Sequence, residues 1–346
     1  MTTTEPTSEA ANDVFRSLPE NVLSQIMECL PLRDVARTSV LSKSWRYTWL
    51  SLPKLTFDAK FFEDVLKDKR FDASQIYAVV SLVLLYHVGP VIKFELYIPN
   101  LQSTGRIIAP CLSYLSKNGV REITIRNAHR GRINLASYLF SCVDLEKLQL
   151  NFCVIDLPSS FKGFRNITNL QLNDVLFVGN SFRRLVDCCP QLETLTLRKW
   201  SGCKGVYIHA SKVKFLTLSG KFESVWLKTS QNLLTLSVTL DENVQNYRLS
   251  RLQEMIKLLS ESRNIEKLFL GGYIFKLLTA GGIVSMLPFK FKCLKVLQLS
   301  NIEASDESEY RCVFVIAVIS VVISVVISVV SCYLFVCLAS FHFPSN

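Results

Sequence analysis

The sequence predicts an α/β protein in which a small N-terminal helical unit precedes a solenoid of repeated strand-and-helix units. Two patterns predict this class. Apolar residues recur at helical spacing over residues 17–49, and the pattern apolar-x-x-apolar-x-apolar recurs nine times over residues 91–299. An uncharged run, residues 312–341, lies near the end of the 346-residue chain. With 49% hydrophobic and 20% charged residues, the chain has the composition of a folded protein.

Three short helices are predicted after a polar lead, residues 1–12, which is expected to be disordered. The first helix ends at Pro31. Its apolar residues share one face and are Val22, Leu23, Ile26, Met27 and Leu30. A second helix is predicted over residues 33–39, and a third from Ser42. A unit this small buries little surface by itself, which indicates docking onto a partner.

Residues 13–55 resemble the F-box of plant F-box/FBD/LRR-repeat proteins. The matching positions are Leu18-Pro19, Ile26, Leu30-Pro31, Val35, residues 38–42, Trp45, Trp49 and Leu52-Pro53. The resemblance implies that this unit docks onto the Skp-type linker subunit of an SCF-type E3 ubiquitin ligase and, through it, onto a cullin. The contact positions that it implies are Leu18, Pro19, Ile26, Leu30, Pro31 and Val35.

Both tryptophans of this unit, Trp45 and Trp49, are expected to pack internally rather than to contact a partner. On the alternative interpretation, the matching apolar residues as a whole form only the core of a helical cap, and no partner binds there.

The nine copies of the repeated pattern lie 20 to 32 residues apart and begin at Val91, Val120, Leu145, Ile167, Leu192, Val213, Leu233, Ile265 and Leu294. Each copy alternates as a short strand does, and residues 182–186 and 252–259, between copies, have helical spacing. One strand and one helix cannot bury their own apolar faces, but stacked units can, with the strands in a parallel sheet. This predicts a leucine-rich-repeat body, residues 91–310, after a helical linker, residues 56–90.

The repeats depart from the common leucine-rich pattern three residues after the third apolar position. Asn or Cys is usual there and forms a polar ladder beneath the strands. Only Cys153 fits, and Val175, Trp200 and Ile302 stand at equivalent positions. The ladder is therefore expected to be mostly absent and the curvature of the sheet irregular.

Residues between the inward apolar positions of each strand are predicted to face outward on the concave side of the solenoid. This surface is polar, uncharged to mildly basic, and carries two aromatic residues. We hypothesise that it binds a segment of a target protein, with Arg198, Phe215 and Phe269 as anchors. On the alternative interpretation these are ordinary strand-surface residues and the target binds at a loop edge.

Charge and cysteine patterns bear on the class of function. The formal net charge is +10, but Lys and Arg are scattered, so nucleic acid is not expected as a partner. The 11 cysteines include no Cys-x-x-Cys pair and have no ligand spacing with the histidines, so no metal or other cofactor is expected. The sequence has no phosphate-binding loop and no paired carboxylates placed for catalysis, which predicts a non-catalytic protein. Reduced thiols predict the cytoplasm or nucleus.

The uncharged run, residues 312–341, exceeds the ~20 residues that a helix needs to span a bilayer. One interpretation is a transmembrane helix that anchors the chain in a membrane by its tail. The other is a translated intron or a frameshift, because the resemblance to the F-box/FBD/LRR-repeat proteins stops around residues 310–313, before their FBD region. The Ile-Ser-Val-Val repetition fits both interpretations.

The sequence therefore predicts a substrate-recognition adaptor, in which the F-box docks onto the ligase and the repeats hold a target protein. A leucine-rich-repeat scaffold without ligase docking, with or without a membrane tether, is the alternative. A nucleic-acid binder driven by the net charge is the third hypothesis, and it requires an affinity that falls steeply with salt.

Overall fold

The computed structural model describes residues 19–41, 45, 49–65, 73–100, 105–128, 131–135, 137–203, 205–227, 231–241, 249–262, 264–280, 291–302, 324–329 and 332–336. The chain divides into two compact units, Met1–His129 and Arg130–Asn346. The predicted disordered lead, residues 1–12, and the predicted start of a third helix at Ser42 lie outside the described residues.

The first unit combines helices with three parallel strands. Its helices are α1 (Glu20–Glu28), α2 (Leu32–Thr38), α3 (Ala59–Val65), α4 (Ala73–Tyr86) and α5 (Gly105–Leu115), with a 3-10 turn at Trp49–Ser51. Its strands are β1 (Lys54–Phe57), β2 (Lys93–Ile98) and β3 (Glu122–Asn127), paired in the order β1-β2-β3. Leu55 lies level with Phe94, and Phe94 with Ile123, so their buried side chains form one apolar row.

Strand β1 lies where the sequence predicts the junction between the N-terminal unit, residues 13–55, and the helical linker, residues 56–90. Residues 56–90 contain the helices α3 and α4, and no strand was predicted at β1. Leu55 and Phe57 are both 0% exposed, because every second residue of β1 points into the core. Four residues of alternation are too few to distinguish a strand from a loop by pattern alone.

The second unit is built on a long sheet whose strands follow the order β5-β7-β9-β11-β13-β14-β15-β16-β17. These strands are β5 (Lys147–Asn151), β7 (Asn169–Asn173), β9 (Thr194–Arg198), β11 (Phe215–Gly220), β13 (Thr235–Leu240), β14 (Lys267–Gly272), β15 (Val296–Ile302), β16 (Ser324–Val329) and β17 (Cys332–Val336). Two smaller sheets contain β4 (Ile133–Asn134), β6 (Cys153–Ile155) and β8 (Leu176–Phe177), and β10 (Gly205–Ile208) and β12 (Ser224–Leu227). The helices are α6 (Ser181–Asp187), α7 (Leu249–Glu261) and α8 (Ile274–Ala280), with a 3-10 turn at Ser137–Ser141.

The registers of the long sheet confirm the repeat architecture. Leu148 lies level with Leu170, Leu170 with Leu195, and Leu195 with Leu216. All four side chains are at most 2% exposed, so the repeated apolar positions form a continuous core behind the strands. Helices α6 and α7 coincide with the stretches of helical spacing, as predicted.

Main-chain hydrogen bonds join the repeats where the polar ladder is absent. A left-handed residue follows three of the strands, and these residues are Phe152, Asp174 and Lys199, with φ of 55°, 53° and 51°. The N–H of Lys199 donates to the carbonyl oxygen of Ser219 at 2.7 Å, and that of Asp174 to the carbonyl oxygen of Arg198 at 2.7 Å. The ladder positions Cys153, Val175 and Trp200 are all buried. Because the N–H groups of these turn residues already donate to carbonyl oxygens of the next repeat, the ladder side chains need not supply hydrogen bonds between repeats.

The described parts of the apolar segment, residues 312–341, are strands rather than a helix. Strand β16 pairs in parallel with β15, and β17 pairs antiparallel with β16. Among the residues that the structure describes, no helix is long and apolar enough to cross a membrane. The transmembrane helix considered from the sequence is thus not the conformation of residues 324–329 and 332–336.

Candidate protein-interaction surfaces

Two prolines begin the helices of the candidate docking unit. The carbonyl oxygen of Pro19 accepts hydrogen bonds from the N–H groups of the third and fourth residues after it, at 2.9 and 3.1 Å. Pro31 does the same at the start of α2, with the same two distances. Proline suits a helix start because it has no N–H to leave unpaired and its φ, −58° and −57° here, is already set. Both prolines are exposed, so they are available to a partner.

The apolar residues of α1 and of the turn that follows it divide between the core and the surface. Leu23 and Met27 point inward and are 7% and 1% exposed. Ile26 and Leu30, one turn apart, are 37% and 39% exposed. An apolar pair left this accessible on a small unit is the kind of surface that a partner covers.

Leu30 and Pro31 also line a cavity of ≈ 240 Å³ between the α1–α2 turn, β1 and α3. Lys54 and Lys60 stand on the same wall. Glu28, Asp58 and Arg33 line it too, so the predicted contact residues at this turn border a recess with charges of both signs.

Val35 is both a contact position implied by the resemblance and a residue that the second predicted helix is expected to bury. Its side chain is 0% exposed, because α2 turns this face inward, so it supports the unit and is not accessible for contact. Trp45 is buried, as expected for internal packing, and Trp49 is half-buried. Leu18, the remaining predicted contact, lies outside the described residues.

Two exposed apolar residues beyond α2 were not among the predicted contacts. Val40 is 84% exposed and Leu41 is 68% exposed. Both fall inside the resembling run, residues 38–42, but periodicity could not assign them a face because α2 ends at Thr38. The sequence signal that could have identified Val40 and Leu41 as accessible is that two consecutive apolar residues follow the end of a helix.

The outward residues of the long sheet form three rows that run across the strands. The first row comprises Lys147, Asn169, Thr194, Phe215, Thr235, Lys267 and Val296. The second comprises Gln149, Gln171, Thr196, Thr217, Ser237, Phe269 and Gln298. The third comprises Asn151, Asn173, Arg198, Ser219, Thr239 and Gly271. The face is polar, as predicted, with few charges.

The three predicted target anchors share this face but do not form one cluster. Phe215 is 43% exposed in the first row, Phe269 is half-buried in the second, and Arg198 is exposed in the third. Arg198 lies level with Ser219, four residues along β11 from Phe215, so the two anchors are separated by about 13 Å along the strands. A single side chain of a target cannot contact both, whereas an extended segment can.

The buried cysteines are not nucleophiles. Burial raises the pKa of the Cys153 and Cys189 thiols to about 12, against an ordinary value of 9.0. The thiolate is the reactive form, so these thiols are unreactive near neutral pH. Among the described residues, no group of His, Cys, Asp and Glu side chains is placed to hold a metal ion.

A small helical unit with accessible apolar residues and a sheet of parallel repeats with an open polar face together define a repeat-containing protein-interaction module. Comparison with known proteins identifies its kind. The F-box domain family matches residues 15–57, and the family described as the LRR repeats of FBD-associated F-box protein At5g56370 matches residues 108–301.

Several proteins of Arabidopsis thaliana are similar to the chain. F-box/FBD/LRR-repeat protein At1g13570 is 31% identical over 301 residues, which are 86% of this chain and 71% of that protein. F-box/FBD/LRR-repeat protein At2g04230 is 32% identical over 207 residues, 56% of this chain and 44% of that protein. F-box/FBD/LRR-repeat protein At5g56420 is 29% identical over 212 residues, 60% of this chain and 49% of that protein. The chain thus spans about half the length of the last two.

The chain belongs to the family of plant F-box/FBD/LRR-repeat proteins. Membership assigns it an F-box protein's adaptor role in protein interaction. The resemblance inferred from Leu18-Pro19 through Leu52-Pro53 is confirmed at the level of the family.

Proposed function

We propose that the chain is a substrate-recognition adaptor of an SCF-type E3 ubiquitin ligase, acting in the cytoplasm or nucleus. The F-box docks onto a Skp-type linker subunit, which carries the cullin, and the repeats hold the target protein. The chain itself catalyses no step. Its contribution is to raise the effective concentration of the target near the ubiquitin-charged carrier.

The observation that carries the proposal is the accessible apolar pair in the matched F-box, formed by Ile26 on α1 and Leu30 in the turn that follows it. Leu23 and Met27 already bury the inner face of α1, so the pair is not needed to complete that face. Pro19 and Pro31 flank the pair and are also exposed. Val40 and Leu41 extend the set of accessible apolar residues within the matched region.

The test is co-purification of the full chain with a plant Skp-type linker subunit. The docking variant is Ile26→Glu/Leu30→Glu, which puts two charges where the proposal requires apolar contact. The matched control is Leu82→Glu/Leu85→Glu on α4, where the two leucines are 53% and 74% exposed but lie outside the F-box match. Wild type and control are expected to retain the linker, and the docking variant to lose it.

Two outcomes would contradict the proposal. The first is a folded wild-type chain that retains no linker subunit, which would leave a repeat scaffold without ligase docking. The second is a docking variant that retains as much linker as the control, which would place the contact elsewhere on the chain. Circular dichroism of all three proteins establishes that they are equally folded.

A further inference from the structure

A cavity of ≈ 340 Å³ lies on the wall of the repeats opposite the long sheet. Its floor is the small sheet of β10 and β12, which connect β9 to β11 and β11 to β13. Because β9, β11 and β13 pair in parallel, each connection must return the chain along the other wall of the repeats. Helix α6 packs beside β10 and helix α7 beside β12, so the cavity is a groove between two helices.

Two stacked aromatic rings stand on the floor of this groove. Tyr207 lies level with Trp226 across the small sheet, and their rings stack with 4.1 Å between centroids and 9° between planes. The guanidinium of Arg183, on α6, lies over the Tyr207 ring at 5.8 Å from its centroid. Since Trp226 covers one face of the Tyr207 ring, Arg183 covers the other. The two rings are thus held in place before any ligand binds.

Gly205 makes room for the stack. A Cβ at this position would lie 2.7 Å from Cζ3 of Trp226 and 3.4 Å from Cε2 of Tyr207. The indole therefore occupies the space that a side chain on β10 would take. Tyr207 is nevertheless 46% exposed, and Trp226 is half-buried. Accessible aromatic rings on a fixed support are a feature of binding surfaces, because a ligand that covers them buries apolar area without ordering flexible side chains.

The walls of the groove carry balanced charges. Helix α6 contributes Arg183 and Asp187, which pair at 3.6 Å, and α7 contributes Lys257 and Glu261. These two cations and two carboxylates have a formal charge of zero together. A strongly charged ligand therefore gains little electrostatic attraction here, and the rings decide what binds.

The polar groups of the two rings are hydrogen-bond donors. Neither the phenol O–H of Tyr207 nor the indole N–H of Trp226 makes a hydrogen bond within the part of the chain that the structure describes. The indole N–H can only donate, and the phenol O–H can donate as well. A ligand that covers these rings must therefore offer acceptors, because a covered donor without an acceptor costs affinity.

We propose that this groove binds a proline-rich segment of a partner protein in the polyproline II conformation. The rings of such a segment are apolar and pack on aromatic rings. Its carbonyl oxygens are free to accept hydrogen bonds, because polyproline II has no internal hydrogen bonds and proline has no N–H. The segment thus complements both the exposed rings and the donors of Tyr207 and Trp226. Aromatic-lined grooves are a general means by which proteins recognise such segments.

Two other kinds of segment fit the groove less well. A β-strand needs a free sheet edge, but β10 and β12 pair with each other and have helices at their outer sides. An arginine side chain can stack on Trp226, yet it would lie near Lys257 and would find Asp187 already paired with Arg183. A proline ring meets neither obstacle, because it is uncharged and needs no sheet edge.

The experiment measures fluorescence polarisation of the full chain with three degenerate peptide libraries. Two fixed positions, separated by two degenerate ones, are both proline, both alanine or both arginine. Of the two groove variants, Tyr207→Leu removes one ring of the stack, and Gly205→Ala keeps both rings but displaces Trp226. The matched control is Tyr138→Leu, since Tyr138 is also 46% exposed and belongs to the same unit but does not line the groove.

Wild type and control are expected to bind the proline library at least about tenfold more tightly than the alanine and arginine libraries. Both groove variants are expected to lose this preference, because one lacks a ring and the other holds its rings in a different position. Circular dichroism establishes that the four proteins are equally folded, and if one groove variant fails to fold, the other decides.

Three results would overturn the inference: equal binding of the proline and alanine libraries by wild type, tighter binding of the arginine library, or an unchanged preference for proline in a folded groove variant. The second result would assign the stacked rings to a guanidinium. The outcome does not depend on the proposed ligase role, since no residue of the matched F-box lines the groove.

Discussion

Among the described glycines, Gly202 is the one at which an added side chain would clash most closely with the backbone of the neighbouring repeat. Its φ is +89°, and a Cβ added to it would lie 1.9 Å from the carbonyl oxygen of Phe177. No real Cβ approaches a carbonyl oxygen that closely, so the backbone of one repeat must move. The flanking residue, Ser201, joins the neighbouring repeat by two main-chain hydrogen bonds. Its N–H donates to the carbonyl oxygen of Val175, and its carbonyl oxygen accepts from the N–H of Phe177, both at 2.9 Å.

The expected cost of Gly202→Ala follows from these contacts. A side chain at positive φ costs about 1–2 kcal/mol. Moving Ser201 away leaves at least one buried backbone group without a hydrogen-bond partner, which costs about 1–3 kcal/mol more. The free energy of unfolding is therefore expected to fall by about 2–5 kcal/mol, a large part of the 5–15 kcal/mol typical of a folded protein.

Gly179 provides the matched control for this prediction. It also has a positive φ, +57°, but an added Cβ would meet no atom within 4 Å. Gly179→Ala is expected to cost only the conformational term, about 1–2 kcal/mol. Urea unfolding followed by circular dichroism measures both variants. If Gly202→Ala is no less stable than Gly179→Ala, the argument from close approach between repeats is wrong.

Three further predictions concern docking, support and titration. Ile26→Ala/Leu30→Ala removes apolar surface that is 37% and 39% exposed, so affinity for the Skp-type linker, measured by calorimetry, is expected to fall ~5–30-fold, about 1–2 kcal/mol; an unchanged affinity would exclude the pair from the interface. Val35→Ala is expected to lower the free energy of unfolding by about 2 kcal/mol while the folded protein keeps its affinity for the linker, since Val35 is 0% exposed. If the variant instead loses affinity for the linker and unfolds with the same free energy as wild type, Val35 contacts the linker. Burial raises the pKa of Cys153 to about 12 from 9.0, so its contribution to stability is complete below pH 9 and is lost as pH rises towards 12. At pH 8, iodoacetamide is expected to label the exposed Cys29 but not Cys153 until urea unfolds the chain, as read by mass spectrometry; equal labelling in the folded protein would contradict the burial.

The repeats were predictable because their signal is redundant. Each strand presents the same apolar spacing, so an error at one copy is corrected by its neighbours. The connection between repeats was not predictable in the same way. Nothing in the side chains of Phe152, Asp174 and Lys199 marks them for a left-handed turn, since aromatic, acidic and basic residues share it. The main-chain bonds at that turn replace the missing polar ladder, and they depend on backbone geometry rather than on residue type.

The F-box residues show a different limit of periodicity. The apolar stripe predicted for the first helix includes Leu23 and Met27 as well as Ile26 and Leu30. Spacing places all four on one side of the helix, but only packing decides which half is covered. Val35 lies on α2, and its 0% exposure agrees with the expectation that this helix buries it.

The surroundings of Arg198 depend on strand register, which the sequence does not reveal. Arg198 and Ser237 are far apart along the chain and come together because β9, β11 and β13 pair with aligned ends. Arg198 was selected from the sequence as one of three separate anchors. The structure places it beside Lys199 and a set of hydroxyls, so its charge, rather than its size, is what distinguishes it.

The apolar segment shows how one spacing can serve two structures. Ser320, Ser324 and Ser328 recur every four residues, which suits one face of a helix. Four is also an even number, so the same serines keep to one side of a strand, whose period is two. The register with β15 places Ser324 level with Val296, a position of the first outward row, and Ser328 level with Ser300, four residues further along the same strand. The β-branched residues between the serines then tip the balance towards a strand, because valine and isoleucine favour extended backbone over helix.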